Sequence, residues 1–125
     1  MSEFIKNINT EEFEQLKNNS GLYLIDFWAE WCPPCRAMAP ILEQLAPILP
    51  DVTFIKINVD DNQQLSGELE ISSIPTFLLV KFTGDGQFKA SSHILKKFIG
   101  AVPALDFKIA LEKAIEESQA SKSTE

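Results

Sequence analysis

Long apolar runs along the chain predict the strands of a β-sheet. Residues 22–29 are almost entirely apolar and rich in residues that favour strands, which is typical of a strand buried on both faces. Residues 52–59 predict a second core strand, and Phe4-Ile5 a short first strand. We therefore expect residues 22–29 to lie in the centre of the sheet.

A third long apolar run, residues 76–82, is followed by a turn sequence. The segment Thr83-Gly84-Asp85-Gly86 has the residue types of a hairpin turn. We expect this turn to lead into a strand near Phe88, and the two strands to pair in antiparallel orientation.

Apolar residues with helical spacing lie between and after these strands. Residues 9–12 contain the pattern of a capping box and predict a short helix after the first strand. A longer amphipathic helix is predicted from Pro34 onward, with a kink at Pro40. Two further helices are expected, around Leu65 and after Pro103.

This order of elements predicts an α/β sandwich, with helices covering both faces of a mixed sheet. The chain has 125 residues, of which 45% are hydrophobic and 23% charged, and these proportions are typical of one globular domain. We assign the domain to residues 1–117. The polar segment 118–125 is expected to be a disordered tail.

The charge of the chain limits its partners. The formal net charge is −7 and the isoelectric point about 4.7, so phosphate backbones and anionic lipids would be repelled. No segment approaches the ~20 apolar residues of a membrane span, and the first residues lack the apolar run of a secretory signal. We expect a cytoplasmic protein that binds neither nucleic acid nor membranes.

The two cysteines, Cys32 and Cys35, are separated by two residues. This spacing occurs in half of a zinc site, in a redox dithiol and in pairs of inert thiols. A structural zinc site needs four ligands, and beyond this pair only the distant His93 remains, so no metal is expected. The predicted helix start favours a thiolate, because unpaired helix N–H groups stabilise an anionic sulfur.

The predicted helix gives the two thiols different roles. Cys32 precedes the helix and should be more exposed, so we predict that it is the nucleophile. Cys35 follows about one turn later and is placed to attack the mixed disulfide that Cys32 forms. The predicted chemistry is therefore dithiol–disulfide exchange.

Asp26 is a carboxylate inside the most apolar predicted strand. Burial would be costly and would raise its pKa, so that it could exchange protons near neutral pH. The alternative is an edge residue that is satisfied by water or by Lys56, and the sequence supports both interpretations equally. Of the two neighbouring tryptophans, Trp28 is expected in the core and Trp31 as surface cover.

A set of ordered motifs, which covers nearly the whole chain, resembles the thioredoxin family. The motifs are residues 26–35, Pro40 in the following helix, residues 56–60, residues 74–76 and residues 99–101. The resemblance implies the thioredoxin fold, a three-layer sandwich in which about four helices flank a central five-stranded mixed sheet. It also implies that Pro75 is in the cis form and faces the cysteines.

The resemblance also implies roles for other residues. Asp26 would assist proton transfer at Cys35 through water, and Lys56 would tune Asp26. A shallow apolar groove would dock an extended substrate segment, with a hydrogen bond from the backbone of Ile74 to the substrate. The residues that match this groove are Trp31, Pro33, Pro34, Val59, Ile74, Pro75, Ile99 and Gly100.

The same resemblance implies the partners and the cofactor requirement. The substrates would be proteins that contain disulfides, and a thioredoxin reductase would be the electron donor. The chain is expected to act as a monomer, with no cofactor beyond the Cys32–Cys35 disulfide.

Two features depart from the family pattern. Pro33 stands where thioredoxins usually carry glycine, which removes an N–H donor and restricts φ beside the nucleophile. The segment from Pro75 to Gly100 is longer than the family pattern by roughly nine residues, which fits an enlarged hairpin and connection.

Three functions are compatible with these features. The leading hypothesis is a general cytoplasmic reductase of protein disulfides. A more oxidising oxidase or isomerase is the first alternative, because the residues between the cysteines change the stability of the thiolate. The second alternative is a binding subunit in which the thiols are dispensable.

Overall fold

The structure, a computed structural model, describes residues 4–123. Its strands are β1 Ile5–Asn7, β2 Ser20–Trp28, β3 Thr53–Asn58, β4 Thr76–Thr83 and β5 Ile94–Ile99. Its helices are α1 Thr10–Leu16, α2 Pro33–Leu45, α3 Gln63–Glu68, α4 Ala90–His93 and α5 Ala104–Ser123. A 3-10 helix, Ala46–Ile48, directly follows α2.

The five strands form one mixed sheet in the order β1-β3-β2-β4-β5. Both β1 and β2 run parallel to β3, whereas β4 is antiparallel to β2 and to β5. The sheet confirms the predicted α/β fold and the predicted central position of residues 22–29. The described residues contain five helices rather than about four, because α4 was not predicted.

Two apolar layers enclose the sheet. Side chains alternate along β2, so that Leu24 contributes to one layer while Ile25 and Phe27 contribute to the other. The first layer also contains buried residues of α2 and α5, namely Met38, Leu42, Leu45, Phe107 and Leu111. The second also contains Phe13 of α1 and Leu65 of α3. The molecule is therefore a three-layer sandwich.

The helix starts largely follow the sequence pattern. Asn9 caps α1: its Oδ1 accepts the backbone N–H of Glu12 at 2.9 Å, and Glu12 Oε1 accepts the backbone N–H of Asn9 at 3.0 Å. This confirms the predicted capping box. The helix α2 begins at Pro33, one residue earlier than predicted, and continues through Pro40.

The prediction of a strand near Phe88 is wrong. The chain bends at Gly84 and Gly86, where φ is +81° and +79°, and a single helical turn, α4, comes before β5. The ring of Phe88 packs against Phe13 and Phe82, with centroid distances of 5.6 and 5.7 Å. This packing holds Phe88 in a loop, so the antiparallel partner of β4 begins only at Ile94.

The last helix extends further than the sequence suggests. The backbone N–H of Phe107 donates to Pro103 O at 2.9 Å, and α5 continues from Ala104 to Ser123. It therefore includes residues 118–123, for which the sequence predicts a disordered tail. Thr124 and Glu125 lie outside the described residues, and the domain boundary at residue 117 stays a prediction.

We predict that Phe88→Ala lowers the free energy of unfolding by about 2 kcal/mol, because it removes ring contacts that hold the 84–93 segment on the sheet. Gln87→Ala is the matched control, since this neighbouring side chain is exposed, and it should change stability by less than about 0.5 kcal/mol. Urea denaturation measures both. Equal effects of the two substitutions would show that the ring contacts do not anchor the segment.

Candidate active site

The two cysteines lie where α2 begins. Cys32 is the N-cap residue, with extended backbone (φ −99°, ψ 103°), and its Sγ accepts the backbone N–H of Cys35 at 3.2 Å. Pro33 and Pro34 fill the first two helical positions and have no N–H to donate. The first helical N–H that can donate to the sulfur is therefore that of Cys35.

Cys32 and Cys35 form a disulfide, with Cα atoms 5.3 Å apart. Their exposed fractions are 2% and 4%, so both residues are buried in this form. The expectation that Cys32 is more exposed is therefore wrong for the disulfide form. The reason is packing, because Trp28, Val59 and Ile74 lie against the cluster that contains the two cysteines.

Asp26 lies in the middle strand and is 3% exposed. Its Oδ1 is buried and has no hydrogen-bond partner. Desolvation raises the pKa of this carboxyl to about 7, and the positive charge of Lys56 opposes the rise. The alternative of an edge residue is wrong, because Asp26 lies buried in the middle strand of the sheet.

Lys56 is the register partner of Asp26 on β3. Its ammonium group lies over the ring of Trp28, 4.3 Å from the ring centroid. The ion pairs within 4.0 Å among residues 4–123 do not include Lys56 and Asp26. The charge of Lys56 thus reaches Asp26 through space and not as a contact pair.

Trp28 is half-buried and not, as predicted, a core residue. Its indole Nε1 donates to Asn7 Oδ1 on β1 at 3.2 Å. Asn7 was not predicted as a site residue, because no local pattern indicates that β1 and β2 lie on the two sides of β3. The polar contact and the cation above the ring explain why Trp28 remains near the surface.

Trp31 covers the surface beside the cysteines, as predicted. It is 65% exposed, and its Nε1 donates to Asp60 Oδ2 at 2.8 Å. Asp60 directly follows the predicted strand 52–59, but the sequence did not single it out as a partner of Trp31. The contact orients a large apolar surface next to Pro33 and Pro34, which are also exposed.

Four further groove residues, Ile74, Pro75, Ile99 and Gly100, lie at one end of the β4–β5 pair, where β4 begins and β5 ends. The Ile74–Pro75 peptide bond is cis, as the resemblance implies. The backbone N–H of Gly100, whose φ is +88°, donates to Pro75 O at 2.8 Å. Ile99 is 61% exposed. The structure therefore joins residues 74–75 to residues 99–100, and it packs Ile74 beside the cysteines.

Within residues 4–123, no group of three or more His, Cys, Asp or Glu side chains has a metal-binding arrangement. None of the helices in this part of the chain is long and apolar enough to cross a membrane.

Comparison with known proteins gives the family. The Thioredoxin family model matches residues 4–113. The chain belongs to the thioredoxin family. The thioredoxin of Haemophilus influenzae is 43% identical over 105 residues, covering 82% of this chain and 89% of that protein. The thioredoxin of Chlamydia pneumoniae is 52% identical over 77 residues, covering 62% and 74%.

Solved thioredoxin structures agree with this assignment. Oxidised mitochondrial thioredoxin 3 from Saccharomyces cerevisiae superposes with a TM-score of 0.68 at 37% identity, covering 90% of this chain and 94% of that chain. The chain is therefore a thiol–disulfide oxidoreductase. Membership of the thioredoxin family implies substrates that contain disulfides and a thioredoxin reductase as electron donor, without a separate cofactor.

We predict that Asp26→Ala stabilises the protein in a pH-dependent way. The pKa of Asp26 is about 7 in the folded state and about 3.9 in the unfolded chain. The folded state therefore binds more protons between these values, and the stability of the unmodified protein falls as the pH rises through this range. Relative to the unmodified protein, the variant should gain up to roughly 4 kcal/mol between pH 4 and pH 8.

Urea denaturation across this pH range measures the gain. The cavity left by the truncation is the same at every pH, so it does not alter the pH-dependence. A stability difference that stays constant between pH 4 and pH 8 would contradict the raised pKa of Asp26.

Proposed function

We propose that the chain is a general reductase of protein disulfides, in which Cys32 attacks and Cys35 resolves. The Cys32 thiolate attacks one sulfur of the substrate disulfide, forms a mixed disulfide and expels the other substrate sulfur as a thiolate. Cys35 then loses its proton and attacks Cys32 Sγ. The second substrate sulfur leaves and takes up a proton, so two electrons pass to the substrate and the Cys32–Cys35 disulfide forms.

The observation that carries this assignment is the hydrogen bond from the backbone N–H of Cys35 to Cys32 Sγ, at 3.2 Å. The donor belongs to the first turn of α2, where the helix dipole adds to its effect. This donor would stabilise a thiolate at Cys32. Cys35 lies within the first turn of α2, so its sulfur is not at the N-cap position where the donor acts. The same geometry keeps Cys35 within reach of the mixed disulfide.

Asp26 and Lys56 serve the resolving step in this proposal. Asp26 accepts the proton of Cys35 through a water molecule, as the resemblance implies, and its raised pKa suits proton exchange near neutral pH. Lys56 opposes the effect of burial on that pKa. The strength of Asp26 as a base is thus set by two opposing effects.

The substrate would bind across the exposed apolar surface around the disulfide. Trp31 and Ile99 supply large exposed side chains, and Val59 and Ile74 pack beside the cysteines. In this proposal the backbone of Ile74 hydrogen-bonds an extended substrate segment. Pro33, Pro34, Pro75 and Gly100 complete the surface.

The reductase would act in the cytoplasm as a monomer and would be recharged by a thioredoxin reductase. It would need no metal, nucleic acid or membrane. The names of the thioredoxin relatives favour a reductase over the oxidase, isomerase and binding-subunit alternatives. In this proposal the protein carries electrons from the thioredoxin reductase to its substrates, through thiol–disulfide exchange at Cys32 and Cys35.

We predict that Cys32→Ser abolishes the reduction of insulin disulfides, since it removes the attacking sulfur. Cys35→Ser should attack once and then accumulate as a covalent adduct, because only the resolving step is lost. Mass spectrometry detects the adduct, and the double variant is the control that should form none. Normal turnover by Cys35→Ser, or an adduct on Cys32→Ser, would reverse the assignment.

We predict that Pro33→Gly shifts the reduction potential by no more than about 30 mV, a tenfold change in the equilibrium constant. The substitution restores an N–H donor but also removes the restriction on the turn, and these effects oppose each other. The Cys35 donor and Asp26 remain unchanged. Equilibration in glutathione buffers measures the potential.

The potential of the unmodified protein decides between reductase and oxidant. A thioredoxin-like value is about −270 mV, and a strong oxidant has about −120 mV. A value near the oxidant end, or a Pro33→Gly shift several times larger than predicted, would favour the oxidase or isomerase.

A further inference from the structure

Three side chains on one face of the sheet form a group beneath α2. Asp26 and Trp28 are two residues apart on β2, so they point to the same face, and Lys56 lies opposite Asp26 on β3. The long side chain of Lys56 can therefore direct its ammonium group toward either of two neighbours. One is the carboxylate of Asp26, and the other is the ring of Trp28.

The ammonium group of Lys56 lies on the ring. It is 4.3 Å from the ring centroid of Trp28 and makes no ion pair with Asp26 within 4.0 Å among the described residues. The Oδ1 atom of Asp26 has no hydrogen-bond partner. An aromatic face thus holds the cation that stands in register with the buried carboxyl.

The orientation of the ring is itself fixed. The indole Nε1 of Trp28 donates to Asn7 Oδ1, and Asn7 is the register partner of Lys56 on the opposite side of β3. A cleft of about 200 Å³ is lined by Asn7, Trp28, Lys56 and Glu43 of α2, among other residues. This cleft lies at the outer side of the three side chains, and it leaves room for the ammonium group of Lys56 to remain over the ring of Trp28.

We propose that Trp28 is a positioning residue for proton transfer, because its ring holds the Lys56 ammonium group away from Asp26 and leaves the carboxyl without a contact ion pair. This inference rests on the proposed role of Asp26 in the resolving step. It assigns to Trp28 the control of how strongly Lys56 acts on the carboxyl.

The electrostatic reason is that the attraction between Lys56 and the carboxylate, which already opposes the rise of its pKa, would strengthen if the two charges came into contact. An opposite charge within about 4–6 Å lowers the pKa of a carboxyl by roughly 1–3 pH units. Of the neighbouring elements, β4 presents the apolar Phe77 opposite Asp26, and α2 carries Cys35 in the disulfide and Glu43 at the outer cleft. Lys56 is the cation whose movement would change the proton affinity of Asp26.

The test measures the pKa of Asp26 directly, from the ¹³C shift of its carboxyl in the oxidised protein. Trp28→Leu removes the aromatic face, so Lys56 should contact Asp26 and lower that pKa by about one pH unit or more. Trp28→Phe keeps a ring but not the indole N–H, and it should shift the pKa by less than half as much. No fall in Trp28→Leu would overturn the proposal.

A second pair of variants separates the effect of the Lys56 charge on the pKa of Asp26 from the effect of added water. Trp28→Leu also opens space for water, which alone would lower the pKa of a buried carboxyl. The same substitution is therefore made in Lys56→Met, where the proposal predicts that most of the fall disappears. A fall of equal size in both backgrounds would overturn the proposal, because hydration would then explain it.

The unmodified protein gives an independent test that does not depend on the folding of a variant. Ring-current shifts of the Lys56 ε-methylene protons report the position of its ammonium group over Trp28. These shifts should persist from pH 5 to pH 9, through the ionisation of Asp26. Their loss as Asp26 ionises would show that the carboxylate captures the cation, which would overturn the proposal.

The rate of insulin reduction distinguishes this inference from the function on which it rests. If Trp28→Leu shifts the pKa of Asp26 and the pH profile moves with it, both stand. A shifted pKa with an unchanged pH profile would support the control of the Asp26 carboxyl by Trp28 through Lys56, and it would refute the proton-transfer role of Asp26.

Discussion

The position of β2 between β3 and β4 is the constraint on which the redox site depends. Parallel pairing with β3 holds Asp26 opposite Lys56, and antiparallel pairing with β4 fixes the strand that follows the cis bond at Pro75. The strand β2 ends at Trp28, shortly before Cys32. The strand β2 therefore fixes the relative positions of the Asp26 carboxyl, the loop that contains Pro75 and the start of α2.

Burial of the Asp26 carboxyl costs stability, but it also supports the proposed chemistry of the site. A carboxyl that lacks a hydrogen bond at Oδ1 and a contact cation destabilises the fold as the pH rises toward its raised pKa of about 7. The same isolation gives Asp26 a proton affinity suited to neutral pH. If Trp28 holds Lys56 aside as proposed, the arrangement keeps a reactive carboxyl at the expense of stability.

The sequence predicted the elements whose signal is local. The apolar run at residues 22–29 and the helix with Pro40 were predicted because burial imposes a regular spacing on them. The strand at Phe88 was wrong, because contacts with Phe13 and Phe82 from distant elements outweigh the glycine-rich turn pattern. In the site, Cys32 was expected from its spacing to Cys35, whereas the Asn7 contact depends on strand order and had no local signal.

In the proposed mechanism, the start of α2 makes Cys32 the more acidic thiol of the pair. The most direct measurement is the pKa of each thiol in the reduced protein, from the pH-dependence of its ¹³Cβ shift. The account predicts that the pKa of Cys32 lies below the ordinary value of about 8.5 and that of Cys35 above it. The opposite order would contradict the account, because the helix start would then not stabilise the attacking sulfur.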